Sequence, residues 1–460
     1  MKNIQIWVLF LSLLAQAASA RPAGDERSSA AKRPPMGWNS YNCFGGNATE
    51  QEVKQNADYM AAHLRSFGWE YVVLDFLWYC DDQNSPEAFA DRRPEQFIDA
   101  FGRLIPSVKN HPSASAGRGL KPLGDYIHSK GLKFGIHIMR GIPRQAVEQN
   151  TPILNSAATA ASVANPADTC IWYGGLVGVD MTKDGAQAYY NSIFKLYASW
   201  GVDFIKVDDI SYPYHADEIE AVKEAIEQCG REMVLSLSPG PAFIGNPKHL
   251  REHAHMWRIS ADFWDKWESL VKQLHLCRQW APFVTEGGWP DADMLPLGHL
   301  ALRHEVRDNT ERYTRFTPNE QYFMMTLWSI FRSPLMMGGH LPDNDAFTLS
   351  LLTNEEAIRV NQHSRDNREI QFADGISVWA AEDETDGTTY VAFLNTNDQQ
   401  TAVSLPLSAI GRKGTVKLRN LWDRSETERQ ESIDLALPAH GGLLFAVRGG
   451  ETISSSPFPN

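Results

Sequence analysis

The chain has 460 residues, 43% of them hydrophobic and 22% charged, and a formal net charge of −13. That length allows two or three domains around a sizeable core. The acidic balance excludes nucleic acid as the main partner, because phosphate binding needs a cationic face.

Residues 1–20 have the pattern of a cleaved signal peptide: Lys2, an apolar run from Ile6 to Leu14, and a small-residue site at Ala18-Ser19-Ala20. The apolar run is too short to cross a bilayer and Arg21-Pro22-Ala23-Gly24 breaks it, so the expected protein is secreted or periplasmic with no membrane span. Residues 21–33 read as a flexible leader. Cys43, Cys80, Cys170, Cys229 and Cys277 match no zinc module. An oxidising compartment permits a disulfide, and the odd count leaves at least one thiol unpaired.

From Pro34 an amphipathic helix that ends in glycine, followed at once by an apolar strand, recurs at Gly68, Gly131, Gly201 and Gly230. In the first unit Thr49 and Glu52 form a capping box, and Val53, Ala57, Met60, Ala61 and Leu64 recur at helical spacing. Gly68 stops the helix and Tyr71 to Leu74 is the strand. The next strands run through Leu132–Met139, Val202–Val207 and Met233–Leu237. Asn47-Ala48-Thr49 also matches a glycosylation acceptor, but its place at a helix start makes capping the better account of Thr49. Strands apolar on both faces, alternating with helices, imply a parallel sheet covered by helices. The persistence of this rhythm over residues 34–362, with no glycine-rich dinucleotide fingerprint, favours a (β/α)8 TIM barrel over an open sheet. Short alternating segments then take over at 376–380, 389–394, 402–407, 415–418 and 442–447. They predict a C-terminal antiparallel β domain over residues 363–450, with a frayed tail at 451–460.

In such barrels the chemistry sits at the C-terminal strand ends, which here carry Asp75, Asp208 and Asp262. In Phe204-Ile205-Lys206-Val207-Asp208-Asp209, Lys206 and Asp208 are two apart and face one side. A cation beside a carboxylate lowers its pKa, which suits a nucleophile; alone, the pair also fits an ordinary strand-end ion pair. Trp257-Arg258-Ile259-Ser260-Ala261-Asp262 repeats the design, with Arg258 and Asp262 of equal parity on an extended chain. Trp257, Phe263 and Trp264 are placed to raise an acid's pKa by desolvation, while a buried Arg–Asp pair is the plainer reading. Two carboxylates across a barrel mouth are the minimal equipment for glycoside hydrolysis. Most aromatic residues near strand ends read as core. Tyr41 and Trp78 stand out as candidate sugar contacts. His137 and His255 raise a metal-dependent hydrolase as a rival, but no His-x-His stands at the first strand and no His-Glu-x-x-His on a helix, so neither metal nor cofactor is expected.

Taken together these motifs resemble glycoside hydrolase family 27, the α-galactosidase or melibiase family. Pro35-Met36-Gly37-Trp38-Asn39-Ser40 resembles its opening strand, and Lys206-Val207-Asp208 its nucleophile motif. Arg258-Ile259-Ser260-Ala261-Asp262 is similar to its Arg-x-x-x-Asp acid/base motif, Trp289-Pro290-Asp291-Ala292-Asp293-Met294-Leu295 to its Trp-Asn-Asp-Pro-Asp-Met-Leu signature, and Ser333-Pro334-Leu335 with Gly338-Gly339 to the last barrel strand. The resemblance implies a barrel with a C-terminal β-sandwich and an exo-acting, retaining enzyme that removes terminal α-D-galactosyl residues from oligo- or polysaccharides. It implies Asp208 as nucleophile and Asp262 as acid/base, Asp75 on the 4-hydroxyl, Lys206 on the 3- and 4-hydroxyls, Arg258 on the 2-hydroxyl, Tyr41 against the sugar and Asp293 near it.

Two departures matter. The family's Asp-Asp-x-Trp is here Asp75-Phe76-Leu77-Trp78, and its Cys-Glu-Trp is Ser238-Pro239-Gly240. Both resemble a branch that includes β-L-arabinopyranosidases, and L-arabinopyranose is galactose without its hydroxymethyl arm. The alternatives are therefore a β-L-arabinopyranosidase, alone or with both activities, or a non-catalytic carbohydrate-binding protein, which Asp208→Asn would leave unaffected.

Overall fold

The structure is a computed structural model that describes residues 29–81, 95–303 and 310–453. The expected signal peptide and the leader up to residue 28 lie outside the described residues. Eight strands form the central sheet: β1 (Met36–Asn39), β2 (Tyr71–Leu74), β3 (Lys133–Met139), β4 (Phe204–Asp208), β5 (Val234–Leu237), β6 (Met256–Arg258), β7 (Trp289–Asp291) and β8 (Leu335–Met337). All neighbours are parallel, in the order β7-β6-β5-β4-β3-β2-β1-β8. The chain just past β7 closes the ring: Leu295 N–H donates to the Met336 carbonyl at 2.8 Å, and Gly338 N–H donates to the Leu295 carbonyl at 2.9 Å.

The helices that follow the strands are α1 (Glu50–His63), α2 (Lys121–Ser129), α3 (Ala186–Ser199), α4 (Ala216–Gln228), α5 (Pro247–His253), α6 (Trp267–Trp280), α7 (Pro318–Phe331) and α8 (Glu355–His363). The Thr49–Glu52 capping box is present at the start of α1. Gly68, Gly131, Gly201 and Gly230 all have positive φ, which lets the chain turn from helix to strand within a residue or two.

Alternation along each strand divides the residues between two environments. Val72, Leu74, Ile205, Val207, Leu235 and Trp257 pack outward against the helices. Tyr71, Val73, Phe204, Val234, Met256, Trp289 and Met336 fill the barrel interior. The base of that interior corrects the expectation of a flexible leader up to residue 33. Ala31 is buried, its carbonyl accepts from Trp289 Nε1 at 2.8 Å, and Arg33 donates to the Gln362 carbonyl at 2.8 Å. An apolar plug under the barrel floor orders this segment.

The C-terminal unit is antiparallel. Strands β9 (Ser364–Ala373), β10 (Ile376–Asp383), β11 (Thr389–Asn395), β12 (Thr401–Pro406), β13 (Arg412–Asn420), β14 (Glu426–Arg429), β15 (Ser432–Leu437) and β16 (Gly442–Thr452) form a six-stranded sheet, β9-β10-β11-β16-β13-β14, packed on the β12-β15 ladder. Ile376, Val378, Val391, Phe393, Ile433, Leu437 and Phe445 lie between the layers. Glu451 and Thr452, expected in a frayed tail, extend β16 by pairing with Lys413 and Arg412. No disulfide forms among the described residues, and four of the five cysteines are buried. No helix among the described residues is long and apolar enough to cross a membrane.

Candidate active site

The inward-facing residues at the C-terminal ends of β1 to β7 form one polar layer above the apolar barrel core. Asp75 follows β2 directly and is buried, its Oδ2 3.0 Å from Lys206 Nζ and 2.7 Å from Asn39 Nδ2. Its backbone N–H donates to Ser40 Oγ at 2.9 Å. Burial pushes the Asp75 carboxyl up, but Lys206, His137 and the Asn39 amide outweigh it and hold the group well below the usual carboxylate range.

Asp208 ends β4. His137 on β3 donates from Nε2 to Asp208 Oδ2 at 3.1 Å, and the Asp209 N–H donates to Oδ1 at 2.9 Å. Burial again pushes up, and the His137 hydrogen bond and charge, Lys206 and the Asp209 N–H together pull the carboxyl below its ordinary value. Asp209, one residue on, points away from the site. Its φ of 58° turns the chain outward, and its carboxylate meets Arg140 Nη2 at 2.8 Å.

On the opposite flank Arg258 Nη2 lies 3.4 Å from Asp262 Oδ1 and 2.6 Å from Asp293 Oδ2. Burial pushes the Arg258 guanidinium toward losing its proton, and the charges of Asp293, Asp262, Asp291 and Asp208, in falling order, outweigh it. Two expectations need correction here. Strand β6 stops at Arg258 and residues 259–261 bend, so a turn rather than strand parity brings Asp262 back to Arg258. The aromatic neighbours do not dry Asp262: its side chain is 57% exposed, while Phe263 packs against Phe316 and Trp328 at ring distances of 6.0 and 5.3 Å.

Tyr41 is half-buried beside the hollow, with Lys206 Nζ 5.8 Å from its ring centre. Trp78 does not face the hollow, contrary to the sequence reading. It is 1% exposed, packs edge-on against Tyr79, Tyr197 and Trp200, and donates from Nε1 to the His137 carbonyl at 2.7 Å. Asp293 sits beneath the rim, where it pairs with Arg258 and accepts from the backbone N–H groups of Phe263 and Met294, both at 2.7 Å. Burial pushes Asp293 up against the pull of Arg258. Below the carboxylates a small cavity extends into the barrel, its walls formed by Asn39, Lys206, Ser236, Arg258, Asp291 and Asp293.

Sequence reasoning did not find Asn39 or His137 as partners of Asp75 and Asp208. The signal for His137 is register: β3 pairs with β4 so that His137 lies opposite Lys206 and Met139 opposite Asp208. That pairing is long-range and cannot be counted along one segment. The rival metal reading finds no support in this layer. His137 is engaged with Asp208, and His255 is buried elsewhere, accepting from the Leu235 N–H at 2.9 Å.

Comparison with known proteins decides the family. A sequence profile described as alpha galactosidase A matches residues 176–363, and one described as the alpha galactosidase C-terminal β-sandwich domain matches residues 373–447. The solved structure of a GH27 β-L-arabinopyranosidase from Geobacillus stearothermophilus superposes with a TM-score of 0.87 at 48% identity, over 91% of this chain and 97% of that one. This chain belongs to glycoside hydrolase family 27. A proposed α-N-acetylgalactosaminidase from Bacillus halodurans is 46% identical, with a TM-score of 0.81 over 91% of this chain and 98% of that one. An α-galactosidase from Oryza sativa is 26% identical over 90% of this chain and 85% of its own length. The family 27 chain is therefore a glycoside hydrolase, α-galactosidase-like in its broad class, and its substrate is a carbohydrate. Its polar layer suits that chemistry, with an ionised, hydrogen-bonded carboxylate on one flank and a solvent-open carboxyl on the other.

Proposed function

We propose that this family 27 enzyme is an exo-acting, retaining glycosidase that releases terminal β-L-arabinopyranosyl residues in preference to α-D-galactosyl residues. Asp208 attacks the anomeric carbon while Asp262 gives its proton to the departing oxygen. Water, deprotonated by Asp262, then attacks the same carbon and frees Asp208, so configuration is retained. Asp75 and Lys206 bind the 3- and 4-hydroxyl edge, Arg258 the 2-hydroxyl, and Tyr41 lines the sugar face. Trp78 and Asp293 act behind the site, on His137 and Arg258.

The observation that carries the arabinoside preference is Phe76. It is 4% exposed and wedged edge-on among His137, Trp172 and Tyr173 at ring distances of 5.3, 5.8 and 5.1 Å. An apolar wall beside Asp75 offers nothing to a hydroxymethyl arm and suits a sugar that lacks one. The similarity to the Geobacillus stearothermophilus enzyme supports this reading. The α-galactosidase reading draws support from the relatives of that name in Oryza sativa and Cyamopsis tetragonoloba, at 26% and 28% identity.

The test compares kcat/KM for p-nitrophenyl β-L-arabinopyranoside and α-D-galactopyranoside. The expected ratio favours the arabinoside. A ratio favouring the galactoside restores the second reading, and no turnover of either rejects both. Phe76→Asp shifts the ratio toward galactoside by roughly tenfold or more, the value of a hydrogen bond between a substrate hydroxyl and a charged group.

A further inference from the structure

On the outer wall of the barrel, α4 and α5 bring together three side chains with metal-ligating atoms. His249 and His253 lie one turn apart on α5, so both rings leave the same face. The rings stack with centres 4.1 Å apart and planes 26° apart. Glu220 reaches across from α4, its Oε1 3.1 Å from His249 Nε2. One donor atom from each of the three residues falls within 4.8 Å of the other two.

Both rings are also held from behind. His253 Nδ1 lies 2.9 Å from the His249 carbonyl, so that nitrogen carries the proton and Nε2 presents its lone pair. His249 Nδ1 lies 2.6 Å from the Tyr214 hydroxyl. Hydrogen bonds of this kind fix the tautomer and orientation of histidines that bind metal through the other nitrogen. The second cluster of similar composition, Asp168, His215 and Glu218, lacks room for an ion. The Arg140 guanidinium fills it, 2.8 Å from Asp168 and 2.7 Å from Glu218.

We propose that Glu220, His249 and His253 form a binding site for a divalent transition-metal ion of the zinc class. Two imidazole nitrogens and a carboxylate oxygen match that donor preference, and partial exposure leaves a fourth position to water. On binding, the ion replaces the hydrogen bond between His249 and Glu220, and any proton on His249 Nε2 leaves to solvent. The ion clips α4 to α5. Through Tyr214 it also braces the loop that leaves β4 at Asp208, where Ser211 and Tyr214 bridge and Ser211 Oγ donates to the Pro239 carbonyl at 2.6 Å. Its role is structural.

The test uses the full-length, untagged protein, stripped with a chelator and titrated calorimetrically with Zn2+, then with Co2+ as a spectroscopic probe. One ion binds per chain, Co2+ develops the visible bands of a low-coordinate nitrogen–oxygen site, and Tm rises by a few degrees. His253→Ala and Glu220→Gln each weaken Zn2+ binding by roughly tenfold or more. Both variants keep the glycosidase activity and circular dichroism of the parent. Failure of the stripped protein to take up Zn2+, or uptake that both substitutions leave unchanged, overturns the proposal.

Discussion

Asp208 is held from three directions in a largely buried corner: His137 on one oxygen, the Asp209 N–H on the other, and Lys206 two residues back on the same strand. Because these groups outweigh burial, the carboxylate stays ionised until the pH falls below the ordinary aspartate value of about 3.9. The acid limb of kcat/KM therefore lies below that value. His137→Ala removes the largest opposing interactions and leaves burial in place, so the limb moves to higher pH as kcat falls. A pH–rate profile checks the sign, and an unmoved limb means that another group sets it. Trp78 shows where reading single residues fails. An aromatic residue just past a strand end reads as a sugar contact, but Leu77 has a φ of 62°, and the chain turns Trp78 into the core. Residues still on a strand, such as Lys206 and Asp208, keep the side their spacing predicts. Residues beyond the strand end answer to turns that spacing does not encode.

At the scale of elements, the ends of β3 and β4 are bound together by one residue. The Arg140 backbone N–H donates to the Asp208 carbonyl at 2.9 Å, and its Nε donates to the Asp209 carbonyl at 2.7 Å. The guanidinium, 2% exposed, also meets the carboxylates of Asp168, Asp209 and Glu218, with Tyr190 bonded to Glu218 behind it. Arg140→Met leaves three carboxylates without their cation, two of them buried, at a cost of about 3–5 kcal/mol. Urea unfolding measures the loss, and a change below about 1 kcal/mol would mean that the cage contributes little. None of this network was legible in the sequence, because its members come from separate segments joined only by the fold. The long apolar strands and glycine-stopped helices were legible, since each is a local pattern. Strands β6, β7 and β8 are three residues each, one containing Pro290, which is too short for periodicity; the Arg258–Asp262 spacing pointed to β6, and the motifs of the family resemblance covered β7 and β8. Strand β9 escaped for another reason. It is an edge strand with register shifts against β10, so its exposure does not alternate.

At the scale of the whole molecule, the barrel and the β-sandwich share α7. Every residue of this helix from Phe323 to Phe331 is buried, because one side packs on the barrel and the other meets the C-terminal sheet. Polar contacts fix the junction: Trp422 Nε1 donates to Thr326 Oγ1 at 2.9 Å, Asn354 Nδ2 donates to the Leu421 carbonyl at 2.7 Å, and His440 stacks on Trp267 with ring centres 3.8 Å apart. A broad apolar junction of this kind opposes independent motion of the two units. Gly442, the first residue of β16, permits the close approach, for a Cβ there would lie 2.5 Å from Phe323 Cα and 2.8 Å from the Tyr322 carbonyl oxygen. Both are backbone atoms and cannot swing aside, so Gly442→Ala must part α7 from the sheet, at a cost of about 1–3 kcal/mol. Since α7 also holds the barrel wall, the variant melts earlier in a single calorimetric transition, and activity is lost at the same temperature as the β-sheet signal. Two resolved transitions, with activity surviving the first, would show that the sandwich unfolds on its own and that the helix does not transmit the strain.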